Sequence, residues 1–246
     1  MWLVRDRRAL PFREGRRIQG MTESGQIIRV WRCDAASPAW NMAADELLLR
    51  EAAVLGQALL RFYSWNCVAS SFGYFQRYAD VEKLTESRPL IRRPTGGGLV
   101  CHDKYEWTYS MIFPPNHKWW QLKAEESYRR VHNWLKCAFD ICGVPTELCT
   151  EKRSAGPGQC FVGAEKNDLQ YCGKKIAGAA QRRNRNGLLI QGSVHARATG
   201  IDRETWEAAM LQQNGYIDSH PPESFTSEVC GLAKQKYESD GYNCKR

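Results

Sequence analysis

Residues 92–103 read R-R-P-T-G-G-G-L-V-C-H-D, and this segment constrains the fold more than any other part of the chain. Three consecutive glycines follow a short apolar run and two arginines. Glycine loses more backbone freedom on folding than other residues, so a triple glycine is favourable only where the backbone approaches a ligand closely or adopts positive φ. The segment therefore predicts a binding loop between two strands, at 89–93 and 99–101. A tight turn without a ligand is the alternative.

The composition of the 246-residue chain is that of a globular protein, with 25% charged residues. Its net charge of +8 favours an acidic partner. No basic helix or basic motif with spaced aromatic residues is present, so nucleic acid is not an expected partner. A run of about eighteen apolar residues and the apolar centre of a signal peptide are both missing, so we expect no membrane association and a cytoplasmic location.

The ten cysteines have no C-x-x-C spacing, so the sequence predicts no metal site. In a cytoplasmic protein they are expected to be reduced thiols. Most are expected to be packing residues, with one of them a candidate reactive thiol.

Hydrophobic periodicity predicts helices and strands in an irregular order. The predicted helices are 37–55, 81–86, 124–142 and 202–212. The other predicted strands are 27–33, 58–63 paired with 67–72, 107–113, 160–163, 168–172, 174–182 and 187–195. Helices that interrupt groups of strands predict an α+β fold, with mixed and largely antiparallel sheets packed with helices.

One domain with two terminal extensions is expected. Residues 1–25 are interpreted as a basic, disordered extension, because six arginines stand against Asp6 and Glu14 in the first twenty residues. The domain is expected to cover 26–220. Residues 221–246 are polar and poorly patterned, so they are interpreted as a C-terminal tail.

Two further motifs connect this pattern to a known family. Residues 173–181 read G-K-K-I-A-G-A-A-Q, and residues 41–46 read N-M-A-A-D-E. Together with the R-R-P-T-G-G loop that ends in H-D, they make the chain resemble the biotin/lipoate protein ligase superfamily, over roughly residues 27–212. The resemblance implies a single catalytic domain of that type over 26–220.

Within this superfamily the chain is most similar to cysteine-dependent octanoyltransferases. Q-C-F at 159–161 precedes Lys175, and T-Y-S stands at 108–110, as in that class. The resemblance implies transfer of an octanoyl group without a cofactor, from acyl carrier protein to lipoyl domains. The implied acceptors are the glycine cleavage H protein and the acyltransferase subunits of 2-oxoacid dehydrogenases. An ATP-dependent lipoate ligase, which would need ATP and Mg²⁺, is the alternative.

Cys160 and Lys175 are the catalytic residues that the resemblance implies. A thiolate attacks a thioester readily, and the acyl-cysteine can then be attacked by an amine. Cys160 follows a polar, glycine-rich stretch, which favours exposure. A packing role, as one of ten cysteines, is the alternative. The role implied for Lys175 is to polarise the acyl carbonyl and to manage a proton.

The remaining candidates are expected to bind the acyl chain or position its carrier. They are Arg92, Arg93, Thr95, Gly96, Gly97, Gly98, His102, Gly178 and Gln181. His102 could shuttle a proton or be a structural histidine. Octanoyltransferases often have arginine where Gly98 stands, and Gln191 replaces a histidine of the ligases. A ligase, an amidotransferase that moves octanoyl or lipoyl groups between carrier proteins, and a non-catalytic binding protein therefore stay open.

Overall fold

The computed structural model describes residues 14–18, 27–152 and 163–245. It is an α+β fold, as predicted, with one large mixed sheet and one small sheet packed with helices. The strands are β1 (Glu14–Ile18), β2 (Ile27–Ala36), β3 (Leu59–Trp65), β4 (Ala69–Phe72), β5 (Leu90–Arg92), β6 (Val100–His102), β7 (Trp107–Phe113), β8 (Glu147–Leu148), β9 (Leu169–Tyr171), β10 (Lys174–Asn184), β11 (Gly187–Val194) and β12 (Gly215–Ser219). The α-helices are α1 (Pro38–Leu55), α2 (Tyr78–Val81), α3 (Lys118–Gln121), α4 (Ala124–Ile141), α5 (Arg203–Gln212), α6 (Glu223–Leu232) and α7 (Asp240–Asn243).

Three shorter helical segments complete the described elements. Two are 3₁₀ turns, at Glu82–Leu84 and Arg197–Thr199, and one is a π-helix at Ala233–Tyr237. Within the described part of the chain, no helix has the combination of length and hydropathy that a membrane span requires.

The large sheet has the strand order β1-β12-β2-β3-β7-β11-β10-β9-β8. Strands β12, β2 and β3 run parallel to one another, whereas every pair from β3 to β8 in this order is antiparallel. The parallel pair β2–β3 needs a long connection, which α1 provides. The predicted antiparallel run through 168–195 is confirmed. The strand predicted at 160–163 falls almost entirely outside the described residues.

Local sequence explains the position and length of α1. The Ser37 side chain accepts a hydrogen bond from the Trp40 N–H at 3.2 Å, and Pro38 occupies the first turn. Gly56 ends the helix in the left-handed region, at φ 63°. Both predicted helix ends are confirmed.

The central strands carry alternate side chains into two hydrophobic cores. Leu59 belongs to the core beneath α1, whereas Leu60 belongs to the core beneath α4 and α5. The same alternation separates Leu189 from Leu188 on β11. Successive side chains of a strand point to opposite faces, so one sheet serves both cores.

The small sheet, in the order β5-β4-β6, corrects one prediction. The sequence analysis paired the strands at 58–63 and 67–72, but β3 lies between β2 and β7 and has no free edge for β4. Strand β4 instead pairs with β5 and β6, the two strands that flank the glycine segment. The small sheet therefore holds both ends of that segment.

The C-terminal residues also differ from the predicted tail. Phe225, Val229, Leu232 and Tyr237, from α6 and the π-helix, are buried in the core beneath α1. Polar residues stand between these apolar positions, so their helical spacing was not recognised in the sequence.

At the other end of the chain, β1 pairs antiparallel with β12, where a disordered extension was expected. Residues 1–13 and 19–26 lie outside the described residues.

Candidate active site

The glycine loop is organised by Arg93. Its guanidinium donates hydrogen bonds to the carbonyls of Gly96 and Gly98, both at 2.8 Å, and to the Ser71 carbonyl at 2.8 Å. Gly97 has φ 83°, and a Cβ on Gly73 would lie 1.9 Å from the Gly97 carbonyl oxygen. The turn and this close backbone approach therefore explain why glycine is needed at both positions.

Arg92 joins the small sheet to helix α7 and to the turn at 74–76. Its side chain donates to the carbonyls of Tyr74 and Gln76, at 2.9 and 2.7 Å, and to the Asn243 carbonyl at 2.9 Å. The Arg92 N–H donates to Asn243 Oδ1 at 2.9 Å. The structure thus places Arg92 between the small sheet and α7.

A buried polar network joins Thr95 of the loop to α1. The Thr95 hydroxyl donates to Gln191 Oε1 at 2.7 Å, and Gln191 Nε2 donates to Asp45 Oδ2 at 2.8 Å. Asp45 forms an ion pair with Arg61 at 2.7 Å, and both side chains are fully buried. Arg61 also donates to Asn41 Oδ1 at 2.7 Å. Asn41 and Asp45 of the N-M-A-A-D-E motif therefore stabilise the glycine loop through this hydrogen-bond network.

Lys175 is held by a buried carboxylate at the edge of the large sheet. Its Nζ lies 2.8 Å from Asp168 Oδ2, with side chains 7% and 0% exposed. Asp168 also accepts hydrogen bonds from the Tyr128 hydroxyl and from the Glu165 N–H. Burial, with Asp168 as the next cause, raises the pKa of Tyr128 well above its usual value, so the phenol remains a donor.

Gly178 provides the space that Lys175 occupies. A Cβ at this position would lie 2.8 Å from Lys175 Cε and 2.9 Å from Nζ. Gly178 pairs with Ser193 across β10 and β11. Cross-strand partners place their side chains on the same face about 5 Å apart. The space that the end of the Lys175 side chain fills therefore lies on the same face of the sheet as the Ser193 side chain.

A second buried chain of polar groups begins at Ser193. The Ser193 hydroxyl donates to Glu106 Oε1 and lies 3.1 Å from His195 Nε2. His102 Nδ1 lies 2.5 Å from Glu106 Oε2, and its Nε2 lies 2.6 Å from the Ser71 hydroxyl. The imidazole of His102 stacks on Trp65 at 3.8 Å. His102 is thus a buried link between the small sheet and Glu106.

Hydrogen bonds join both the His102 chain and strand β10 to the glycine loop. Ser71 accepts from Arg93 Nη1 at 2.9 Å, which joins the His102 chain to the loop. Arg182 on β10 donates to the Pro94 carbonyl at 3.2 Å. Gln181 is not part of this assembly, because its amide bonds to Ser127 and to the Ala124 carbonyl on α4.

Cys160 lies outside the described residues, and one ion pair joins the described chain on the two sides of that segment. Lys152 and Glu165 form an ion pair at 2.7 Å. The Glu165 N–H donates to Asp168 Oδ2 at 2.6 Å, so the chain returns directly to the carboxylate that holds Lys175.

Four site residues were not found by sequence reasoning: Asp168, Glu106, Ser193 and His195. A sequence signal exists for two of them. Ser193 and His195 are two residues apart at the end of β11, so they lie on the same face if the extended backbone continues. Asp168 and Glu106 have no comparable local signal, since each is recognised only by its buried partners. Among the described residues, no three His, Cys, Asp or Glu side chains are grouped so as to hold a metal ion.

The chain matches one family over most of its length. The family model for the lipoyl protein ligase A/B catalytic domain covers residues 37–239. The chain belongs to the lipoyl protein ligase A/B catalytic domain family. This confirms the predicted superfamily, and the family match continues through α6 and the π-helix beyond the predicted boundary at 220.

The chain is also similar in sequence to a protein that is named an octanoyltransferase. "Octanoyltransferase LipM" from Staphylococcus aureus is 36% identical over 188 residues, 71% of this chain and 66% of that relative. The chain thus spans slightly less than two thirds of that relative's length.

Two solved structures share the fold of the chain. A lipoate-protein ligase A bound with ATP has a TM-score of 0.70 at 18% identity, covering 89% of this chain and 98% of that one. A bi-partite lipoate protein ligase from Thermoplasma acidophilum has a TM-score of 0.68 at 18% identity, covering 89% and 96%. Both confirm the fold.

Proposed function

We propose that the chain is an octanoyltransferase of protein lipoylation that works through an acyl-thioester on Cys160. The observation that carries the proposal is the ion pair of Lys175 with Asp168, because it holds a buried ammonium group in the space that Gly178 leaves. The S. aureus relative, which is named an octanoyltransferase, supports the same class of reaction. The proposed mechanism uses only side chains of the protein and no cofactor.

In the first step, the Cys160 thiolate attacks the thioester carbonyl of octanoyl acyl carrier protein. A bond forms between the Cys160 sulfur and the acyl carbon, and the carrier leaves as a thiolate. The Lys175 ammonium stabilises the negative charge that develops on the acyl oxygen. Asp168 keeps that ammonium in place, and Gly178 leaves the room for it.

In the second step, the ε-amine of an acceptor lysine attacks the acyl-cysteine. A carbon–nitrogen bond forms, the Cys160 thiolate leaves, and the amine loses a proton. The product is an amide, which is more stable than a thioester, so the transfer is favourable without ATP.

The proposed partners are the two carrier proteins of these steps, in the cytoplasm. Acyl carrier protein is the donor, and a lipoyl domain such as the H protein or a dehydrogenase acyltransferase subunit is the acceptor. The T. acidophilum ligase was studied with its E2 lipoyl domain, which supports an acceptor of that kind. The net charge of +8 suits acidic partners.

The direct test is mass spectrometry of the full chain after incubation with octanoyl acyl carrier protein. We expect one octanoyl adduct on Cys160, which is released when a lipoyl domain is added. Cys160→Ser should form no adduct. Cys230→Ser, at an exposed cysteine of α6, is the matched control and should behave as the wild type. An unmodified wild-type protein, or full transfer by Cys160→Ser, contradicts the proposal.

The same assay separates the alternative chemistries. Transfer that requires free octanoate or lipoate with ATP and Mg²⁺ would identify a ligase. Transfer from an octanoylated H protein, but not from acyl carrier protein, would identify an amidotransferase.

A further inference from the structure

Tyr105 is an exposed aromatic residue that two exposed cations contact. It lies in the turn between β6 and β7, and 47% of it is exposed. The Arg197 guanidinium lies 4.6 Å from the centroid of its ring, and the Lys104 ammonium lies 5.0 Å from it. Neither cation forms an ion pair with another described residue, so both charges can attract an acidic partner.

The turn that carries Tyr105 is held by hydrogen bonds at its base. Asp103 Oδ1 accepts from the Tyr105 N–H at 2.7 Å and from the Glu106 N–H at 3.1 Å. Glu106 is buried, where its carboxylate is bonded to His102 and Ser193. Because the turn is already ordered, a partner that binds here loses little conformational entropy in fixing it.

Strand pairing places a third cation at the same end of the large sheet. Strand β11 is antiparallel to β7 and to β10, so its end lies beside the start of both. Lys104 precedes β7, Arg197 follows β11, and Lys174 is the first residue of β10. Lys174 is exposed and also has no ion pair among the described residues. We call Lys104, Tyr105, Lys174 and Arg197 the cationic patch, and Lys175 stands at the same end of the sheet.

We propose that the cationic patch is the docking surface for the acyl carrier protein that donates the octanoyl group. An acidic carrier would meet three cations and an exposed aromatic ring. Arginine and tyrosine are among the residue types that most often carry binding energy at protein interfaces. Opposite charge also steers two proteins together before they touch. This inference rests on the proposed function, and it adds the surface on which the donor binds.

Charge favours the donor over the acceptor as the protein that docks here. The donor brings a neutral thioester into the site. The acceptor brings a lysine, which is protonated at pH 7 because the pKa of a lysine is ordinarily about 10.4. A cationic surface at the same end of the sheet as Lys175 repels an incoming ammonium group, whereas it does not oppose a thioester on an acidic carrier.

The double variant Lys104→Glu/Arg197→Glu tests this docking surface. Its affinity for unacylated acyl carrier protein, measured by titration calorimetry, should be at least about 10-fold weaker than that of the wild type. The kcat/KM for octanoyl acyl carrier protein should fall by a similar factor. Added salt should weaken wild-type binding, because it screens exposed charges, and should weaken binding by the variant less.

A small donor separates docking from folding and chemistry. The octanoyl thioester of N-acetylcysteamine has no carrier protein that could dock. Transfer from this donor to a lipoyl domain should therefore proceed at the same rate in the double variant and in the wild type. Equal rates would also report that the variant is folded.

The matched control is Lys118→Glu/Arg185→Glu, which makes the same change of charge at the opposite end of the sheet. Lys118 is the first residue of α3, beyond the end of β7, and Arg185 lies in the turn between β10 and β11. Both are exposed. This variant should bind the carrier and transfer octanoyl groups as the wild type does.

Several results would overturn the assignment. They are wild-type affinity in Lys104→Glu/Arg197→Glu, an equal loss of affinity in both double variants, and no binding of the carrier by the wild type. An increase in KM for the lipoyl domain alone would identify an acceptor surface instead. A wild type that binds the carrier but transfers no octanoyl group contradicts the proposed function, while the comparison of affinities still decides the docking surface.

Discussion

Gly178 determines whether Lys175 can reach its place in the site. In Gly178→Ala the new methyl group would displace the end of the Lys175 side chain, which lies 2.8–2.9 Å from the Cβ position. A displacement of this size should slow octanoyl transfer on the order of 10²-fold. The substitution should change the free energy of unfolding only slightly, because the end of a lysine side chain can move aside.

Gly231→Ala is the matched control for this prediction. A Cβ at Gly231, on α6, would meet no atom within 4 Å, so activity should be retained and the helix slightly stabilised. Single-turnover transfer rates and urea unfolding of both variants provide the measurement. Equal activity in the two variants would show that Lys175 does not need the space at Gly178.

The C-terminal segment is an element on which the small sheet depends. The π-helix at Ala233–Tyr237 buries Tyr237 against α1, and its Lys236 lies 2.6 Å from Glu46. Further on, Asn243 is bonded to Arg92 of β5. The segment therefore ties α1 and β5 together from the outside.

Deletion of residues 233–246 should lower the free energy of unfolding by at least about 3 kcal/mol, the scale for losing one large buried aromatic side chain. It should also impair transfer, because Arg92 immediately precedes the arginine that shapes the glycine loop. Deletion of only 245–246 is the control. Urea unfolding of the three proteins gives the comparison, and a stable, active 1–232 protein would contradict this role.

Elements with strong local signals could be predicted from the sequence. Strands whose position depends on pairing with segments distant in sequence could not. Helix α1 was found because Ser37, Pro38 and Gly56 mark its ends. Strand β12 was missed because it is short and pairs with β1 and β2, which are distant in sequence. The pairing of β4 depended on which edges of β3 were already occupied, and no local pattern contains that information.

The site shows the same division. Motifs indicated Lys175, Gly178 and the glycine loop as candidates, and their roles stay predictions. Arg92 and Gln181 bond to the protein's own backbone and to helix α4. Asp168 was missed because its partners Tyr128 and Lys175 are identified only after α4 and β10 have packed together. Whether Cys160 is the nucleophile stays a prediction.

For the whole molecule, His132 makes stability depend on pH. Burial lowers the pKa of His132 to about 4, whereas the unfolded chain protonates it near pH 6.5. Between these values the unfolded state binds more protons, so stability falls as the pH decreases. From pH 7 to pH 5 this group alone should cost about 2 kcal/mol.

The variant His132→Phe isolates this effect from the carboxylates. No described residue is within hydrogen-bond distance of His132 Nε2, so an aromatic replacement loses only the bond to the Tyr128 carbonyl. Urea unfolding at pH 7 and pH 5 should show a loss about 2 kcal/mol smaller in the variant. An identical loss in both proteins would mean that His132 does not titrate differently in the folded state.

The bond between Arg92 and Asn243 has a consequence for synthesis on the ribosome. Chains fold from the N-terminus as they emerge, so both sheets can begin to form while the helices that brace them are still being made. Residue 243 follows β5 by some 150 positions. A nascent chain would thus form the glycine loop without its final brace, and we expect the proposed acyl transfer activity to appear late, after residue 243 has left the exit tunnel.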